Sequence, residues 1–242
     1  MAGWRFAVVA LAGLLMGAAP APAPTGNVDL ELVLAVDASA SITGGTLEFQ
    51  LRGHADAFRD PQVAAAISSG PTRSIAVTMV SWSDPGSMKV LVPWTVVGSM
   101  EDCQAFATAI EGARREELAG STGIGSALEE ATGLFAANTI DAPRKTIDLV
   151  SNGFNNSGPD PTTARDRAVA EGITINALAI LDEYPWLEEY YTESVIGGPS
   201  SFVKTAESRE SFAEAILQKM IAEIAQRPGG TRFAQRPGAP SL

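Results

Sequence analysis

Two patterns of apolar and polar residues alternate between residues 28 and 226. Short apolar runs typical of buried β-strands occur in "VDLELVLAV", "SIAVTMVSWS", "MKVLVPW", "RKTIDLV" and "ITINALAI". Most of the segments between them have the three- and four-residue spacing of amphipathic helices. "SDPGS" joins the second and third runs and predicts a tight turn, so these two strands should form a hairpin. We therefore expect an α/β fold, with a doubly wound, mostly parallel central sheet that has one antiparallel edge strand and is flanked by helices.

The two ends of the chain depart from this alternation. Arg5 is followed by the apolar run "FAVVALAGLLMGAA" and by small residues, the pattern of an export signal. The run is shorter than the ~20 residues that span a bilayer. The last residues repeat "AQRPG" and have little to bury. We expect a signal peptide at 1–24, one domain at 28–226 and a disordered tail at 227–242. The mature protein would be periplasmic or secreted, without stable insertion in the membrane.

Composition narrows the classes of function. The net charge is −11, which argues against nucleic acid as a partner. Cys103 and His54 are the only cysteine and the only histidine of the sequence. These counts exclude an internal disulfide and a zinc site built from cysteine and histidine.

Oxygen-bearing side chains follow the predicted strands at one edge of the sheet. Asp37, Ser39 and Ser41 leave the first strand in "DASAS". The hairpin strand "MKVLVPW" leads away from this edge and the helix after it leads back, so Thr122 in "GSTGIG" should lie at the same edge. The next helix descends and "RKTIDLV" ascends, which brings Asn152 in "SNGFNN" there as well. Ligands of doubly wound sheets bind at this edge, beyond the carboxyl ends of the strands. A site with oxygen donors alone suits Mg²⁺, Mn²⁺ or Ca²⁺.

The same segments resemble a known family. "DASAS" resembles the D-x-S-x-S signature of von Willebrand factor type A (VWA) domains. The resemblance implies the VWA fold, a Rossmann-like α/β fold with a doubly wound sheet. "GSTGIGSAL" resembles their second loop and "IDLVSNGFNN" their third. The resemblance covers the whole predicted domain, residues 28–226. "VSWSDPG", "GITINALAIL" and "YYTESVIGGPSSFV" are similar to a group of uncharacterised exported bacterial proteins of this fold.

The resemblance implies a metal-ion-dependent adhesion site. Ser39, Ser41 and Thr122 would be direct ligands, and Asp37 would act directly or through water. An acidic residue of a partner protein would complete the coordination. The departure is Asn152, where the family usually has an aspartate, and one charge fewer predicts weaker binding of the cation.

Two other carboxylates near these segments are candidates to replace the missing one. Asp148 lies four residues before Asn152, ~13 Å back along a strand, too far to substitute. Asp84 lies on the same edge, where it either substitutes for the missing charge or shapes a turn.

Simpler structural roles stand beside the metal site. Ser41 or Thr43 would cap the following helix, and Thr122 the helix after it. Asn152 and Gly153 form a good turn dipeptide by themselves.

Two further functions also stay open. One is an interaction scaffold that binds its partner without metal through a degenerate site. The other is a Mg²⁺-dependent aspartyl-phosphate phosphatase, which would need a second aspartate where Ser39 stands.

Two helical segments near the C-terminal end carry many charges. "WLEEYY" places aromatic residues beside acids, which indicates either a partner surface or packing of Trp186 and Tyr190 on one helical face. The charged spacing of "RESFAEAILQKMIAE" predicts a solvated face of a long helix.

Overall fold

The computed structural model describes residues 25–42, 44–114 and 120–226. The strands in this part of the chain are β1 (Thr25–Asn27), β2 (Glu31–Asp37), β3 (Ile75–Trp82), β4 (Lys89–Val97), β5 (Thr139–Asp141), β6 (Lys145–Ser151), β7 (Ile173–Ile180) and β8 (Val203–Ala206). The helices are α1 (Gly44–Arg59), α2 (Pro61–Ser68), α3 (Met100–Gly112), α4 (Ile124–Ala136), α5 (Pro161–Ala170), α6 (Leu187–Ser194) and α7 (Arg209–Ala225). The signal peptide expected at 1–24 and the tail expected at 227–242 lie outside the described residues.

The central sheet has six strands in the order β4-β3-β2-β6-β7-β8. All neighbours pair in parallel except β3 and β4, which form the expected hairpin with β4 as the antiparallel edge. The predicted fold class is therefore confirmed. Sequence analysis missed a small parallel pair of β1 and β5 beside the main sheet. Three-residue strands of this kind give too short a pattern to recognise.

Helices cover both faces of the sheet, and β2 shows the consequence in its sequence. Leu32, Leu34 and Val36 belong to the core beneath α1, α3 and α7. Val33 and Ala35 belong to the core beneath α4, α5 and α6. Because both faces of this central strand are buried, it reads as a continuous apolar run rather than an alternating one.

The prediction of a solvated charged face on α7 is wrong for two residues. Lys219 and Glu223 have no solvent-exposed surface, and Lys219 Nζ lies 2.5 Å from Asp148 Oδ1 and 2.5 Å from Glu223 Oε1. The helix turns this side toward β6 and β7, where Asn176 Nδ2 donates to Glu223 Oε1 at 2.9 Å. Helical spacing identifies which residues share a face, but it does not reveal a charge partner on a distant strand. Asp148 is thus committed to Lys219, in keeping with the expectation that it does not serve the metal site.

The parallel strands end together at what we call the upper edge. Asp37 pairs with Trp82 across β2 and β3, and Val36 pairs with Val150 across β2 and β6. The loops that follow β2, β3 and β6 therefore lie side by side. In the described part of the chain, no helix is long and apolar enough to cross a membrane.

Candidate metal-binding site

Asp37 ends β2 and organises the first loop of the upper edge. The Ser39 N–H donates to Asp37 Oδ1 at 2.7 Å, which bends the chain into the turn that carries the two serines. The Ser151 hydroxyl donates to Asp37 Oδ2 at 2.5 Å. The carboxylate is fully buried, and both of its oxygens are engaged by groups of the chain itself.

The other four predicted ligands place their oxygens next to one another. Ser39 Oγ and Ser41 Oγ are 3.3 Å apart. Thr122 Oγ1 donates to Ser39 Oγ at 3.2 Å, and Ser41 Oγ donates to Asn152 Oδ1 at 3.0 Å. Ser39, Thr122 and Asn152 are buried, while Ser41 is exposed. Three loops distant in sequence thus supply one continuous group of oxygens that reaches solvent at Ser41.

Gly153 lets the third loop lie against the second. A Cβ at this position would stand 3.2 Å from Thr122 Oγ1, closer than side chains normally pack. The Gly153 N–H donates to Ser151 Oγ at 3.0 Å, and the Tyr191 hydroxyl donates to the Gly153 carbonyl at 2.7 Å. Glycine here serves close approach as well as the turn.

Ser151 and Tyr191 were missed by sequence analysis. Ser151 ends β6 next to Asn152, and alignment of β6 with β2 would have placed it beside Asp37. Tyr191 comes from α6, and no local signal in the sequence connects it with the third loop.

The second loop is held by Asp84 rather than by helix capping at Thr122. Asp84 Oδ1 accepts the Ser121 N–H at 2.9 Å and also the Ser121 hydroxyl, and these bonds lower the pKa of Asp84. These hydrogen bonds support the turn-shaping role of Asp84 rather than replacement of the missing charge. Gly123, not Thr122, is the N-cap of α4, and Thr122 makes no capping hydrogen bond to this helix. In its first turn, the Gly125 N–H donates instead to Asn155 Oδ1 at 3.2 Å. The capping interpretation of Thr122 is therefore wrong.

Burial dominates the electrostatics of the group. Loss of water raises the pKa of Asp37 to about 6, although the hydrogen bonds from Ser151 and Ser39 act in the opposite direction. In the part of the chain that the structure describes, no cluster of three or more histidine, cysteine, aspartate or glutamate side chains could hold a metal ion. The candidate donors are thus hydroxyl and amide oxygens, with Asp37 behind them.

The spacing of these oxygens fits a small hard cation. Octahedral Mg²⁺ has bonds of ~2.1 Å, which separates neighbouring ligands by about 3.0 Å. The three neighbouring pairs in the group are separated by 3.0 to 3.3 Å. Each hydrogen-bonded pair among Ser39, Ser41, Thr122 and Asn152 therefore has a separation close to that of adjacent ligands around such an ion.

A cleft of about 150 Å³ opens directly beside these oxygens. Ser41 and Thr122 line it. Phe154, Glu183 and Tyr184 line the same cleft. The group of side-chain oxygens and an aromatic surface therefore open into the same cleft.

A larger cavity, about 440 Å³, lies at the opposite end of the sheet. Its main polar groups are already used. Arg144 donates to the carbonyls of Glu223 at 3.0 Å and of Ile224 at 3.1 Å, at the end of α7. Asp29 accepts the Thr72 N–H at 2.9 Å. The upper edge is accordingly the better candidate for a ligand.

Comparison with known sequences identifies the family. Residues 27–228 match a family described as "Protein of unknown function (DUF1194)". The chain belongs to the DUF1194 family. No curated protein matches the DUF1194 chain.

Solved structures confirm the VWA-like fold of the DUF1194 chain. Proximal thread matrix protein 1 from the mussel byssus is 20% identical over 83% of this chain and 49% of its own, with a TM-score of 0.60. The pilus adhesin SpaC from Lactobacillus rhamnosus GG is 15% identical over 84% of this chain and 31% of its own, with a TM-score of 0.59. The DUF1194 chain thus spans about half of the mussel protein and a third of the adhesin.

A second structure of the mussel protein is described as having a zinc-occupied MIDAS motif, the metal-ion-dependent adhesion site. It is 18% identical over 83% of the DUF1194 chain and 49% of its own, with a TM-score of 0.58. At this level of identity the similarity concerns the fold alone.

Proposed function

We propose that this chain is an exported, non-enzymatic binding module that captures an acidic residue of a partner protein through a divalent cation. Ser39, Ser41 and Thr122 would hold the cation, with Asn152 beside them and Asp37 orienting Ser39 from behind. Mg²⁺ is the expected ion, and Mn²⁺ or Ca²⁺ would use the same oxygens. The bound ion supplies an open coordination position for a carboxylate. The export pattern at 1–24 supports a periplasmic or secreted location.

One observation carries this proposal: side-chain oxygens from three separate loops form one connected series in which each neighbouring pair is 3.0 to 3.3 Å apart. Ser39 and Thr122 are 83 residues apart in sequence, and Ser41 and Asn152 are 111 apart. Capping or turn formation would not bring these groups together across loops. The exposed Ser41 marks the side from which a partner carboxylate would approach.

A scaffold that works without metal is the second candidate. The hydroxyls already hydrogen-bond to one another and to Asn152, so the group is satisfied in the absence of an ion. The donors also bring little negative charge, which lowers affinity for a hard cation.

Burial argues against the phosphatase alternative. An aspartyl nucleophile must reach a phosphate, yet Asp37 is fully buried and both oxygens accept hydrogen bonds. Ser39 stands where that chemistry needs an acid–base carboxylate.

Calorimetric titration of Mg²⁺ and Mn²⁺ into the metal-stripped protein tests the proposal. We expect saturable binding by the parent protein and its loss in the double variant Ser39→Ala/Ser41→Ala, because two of the donors are removed. Ser68→Ala/Ser69→Ala is the matched control, since these exposed serines lie at the end of α2, away from the upper edge.

Identical heats in the parent and in Ser39→Ala/Ser41→Ala would favour the metal-free scaffold and overturn the proposal. Circular dichroism and thermal melting of each variant establish that a loss of binding is not a loss of fold.

A further inference from the structure

Four aromatic side chains form a connected surface beside the candidate site. Phe154 comes from the third loop, Tyr184 and Trp186 precede α6, and Tyr190 lies within it. The ring centroids of Phe154 lie 5.4 Å from those of Tyr184 and 5.5 Å from those of Trp186, and Tyr184 and Trp186 are 5.3 Å apart. Trp186 meets Tyr190 edge to face at 6.2 Å. We call these residues the aromatic cluster.

The aromatic cluster is packed but not covered. Trp186 is 47% exposed, and it is the one aromatic residue among the exposed large hydrophobic side chains of the described ranges. Tyr190 is fixed underneath, where its hydroxyl accepts the Asn155 N–H at 3.2 Å. Of the two interpretations of "WLEEYY", the packing of Trp186 and Tyr190 is confirmed, while the partner surface stays a prediction that the exposed face of Trp186 permits. Exposed aromatic faces of this kind are typical of binding surfaces.

The cluster is continuous with the candidate metal site. Phe154 and Tyr184 line the same cleft as Ser41 and Thr122. A partner whose carboxylate bound the proposed cation at the upper edge would therefore place its neighbouring side chain against these rings.

Negative charge surrounds the rings. Glu183 lines the cleft, and Asp182, Glu188 and Glu189 are exposed in the same segment. Within the described ranges, none of these four carboxylates forms an ion pair. A cationic side chain is attracted both by the ring faces and by these carboxylates, whereas a second acidic side chain would be repelled. Arginine suits such a surface better than lysine, because its planar guanidinium stacks on rings while it donates to a carboxylate.

We propose that the aromatic cluster and Glu183 form a subsite for an arginine that lies next to the captured acidic residue of the partner. The inference rests on the proposed function, since the cation fixes the position of the partner carboxylate. The recognised feature is then a pair of opposite charges in the partner, an acidic residue followed or preceded by arginine.

Short labelled peptides test this specificity by fluorescence anisotropy. Peptides with a glycine–serine background would contain Asp-Arg, Asp-Ala, Asp-Leu or Asn-Arg, each measured in Mg²⁺ and in a chelator. We expect Asp-Arg to bind roughly tenfold more tightly than Asp-Ala or Asp-Leu. Asn-Arg and all chelated samples should bind at least roughly tenfold more weakly than Asp-Arg in Mg²⁺.

Variants assign the preference to the surface. Trp186→Ala and Glu183→Gln should each abolish the preference for Asp-Arg over Asp-Ala, whereas Trp186→Phe should keep most of it. Val96→Ala and Glu171→Gln are matched controls, because both residues are exposed near the opposite end of the sheet. They should leave the preference intact.

The outcomes separate this inference from the proposed function. Equal binding of Asp-Arg and Asp-Ala in Mg²⁺, both lost in chelator, would overturn the arginine subsite and leave the metal-dependent capture standing. Tight binding of Asp-Arg that chelator does not affect would overturn the proposed function, and with it the placement of the subsite beside a cation-held carboxylate.

Three further results would overturn the arginine subsite: no binding of any peptide, stronger binding of Asp-Leu than of Asp-Arg, or an unchanged preference in Trp186→Ala. Binding of neutral oligosaccharides that Trp186→Ala removes, without peptide binding, would also overturn it and assign the cluster to sugars.

Discussion

Asn152 stands where the resemblance to VWA domains implies an aspartate, and its Oδ1 accepts the Ser41 hydroxyl at 3.0 Å. An amide oxygen can occupy the same place around an ion as a carboxylate oxygen, but it brings no charge. With Asp37 behind the donors, the oxygens nearest to the proposed ion are all neutral. Affinity for the cation should therefore be limited by charge rather than by geometry.

Asn152→Asp is expected to tighten binding of Mg²⁺ by at least roughly tenfold, because it adds one negative charge in contact with the ion. Calorimetry at low ionic strength measures this change. The added carboxylate would accept the same hydrogen bond from Ser41, so the loops need not move.

Asn156→Asp is the matched control for this substitution. Asn156 lines the same cleft, but its Oδ1 accepts the Thr122 N–H at 2.8 Å rather than a hydroxyl of the oxygen group. It should raise affinity much less than Asn152→Asp. Equal effects of the two variants, or none, would mean that residue 152 does not contact the ion.

At the scale of residues, the sequence predicted which side-chain oxygens come together, but not the hydrogen bonds that position their loops. The D-x-S-x-S spacing and the strand order were enough to bring Ser39, Ser41, Thr122 and Asn152 together. Ser151 was missed because a serine at the end of a strand has many ordinary roles. The hydrogen bond from Tyr191 to the third loop depends on where α6 packs, which periodicity does not predict.

At the scale of elements, α7 is joined to the sheet by a buried group of charges. Lys219 lies between Asp148 of β6 and Glu223, one turn further along the helix, and all three are fully buried. Asn176 of β7 donates to Glu223, and His54 of α1 interacts electrostatically with Asp148 and Lys219. The ammonium group of Lys219 thus forms ion pairs with two carboxylates.

This arrangement favours protonation of Glu223. Burial raises its pKa to about 8, the charge of Asp148 acts in the same direction, and Lys219 only partly offsets both. Between pH 4.5, the ordinary value, and about 8 the folded protein keeps a proton that the unfolded chain has lost. The contribution of Glu223 to stability must therefore fall as pH rises through this range.

His54 makes the stability of the fold depend on pH in the acidic range. Burial lowers its pKa below 6.5, so the folded state resists protonation of the imidazole and loses stability as pH falls below that value. Substitution of Glu223 should remove the first of these two dependences and leave the second.

Glu223→Gln is expected to gain stability relative to the parent as pH rises, by more than about 1 kcal/mol across the range. Urea unfolding from about pH 5 to about pH 9 gives the free energy of unfolding for each protein. Glu214→Gln is the control, since Glu214 is an exposed glutamate of the same helix. Parallel curves for Glu223→Gln and the parent would contradict the account of the buried group.

At the scale of the whole molecule, the fold could be predicted because it depends on the order of strands and helices along the chain rather than on individual side-chain contacts. Alternation of apolar runs and amphipathic segments gave the parallel sheet, and the turn in "SDPGS" gave the antiparallel edge. The buried charges of α7 were not predicted, since they depend on side chains that meet only after the helix has packed on β6 and β7. The proposed function rests on where the three loops converge, at the upper edge of the sheet.

The most direct measurement is a crystal structure of the protein soaked with Mn²⁺, with anomalous diffraction to locate the ion. The account predicts one strong peak within coordination distance of Ser39 Oγ, Ser41 Oγ and Thr122 Oγ1. Peaks found only at exposed carboxylates, or none within coordination distance of these three oxygens, would contradict it.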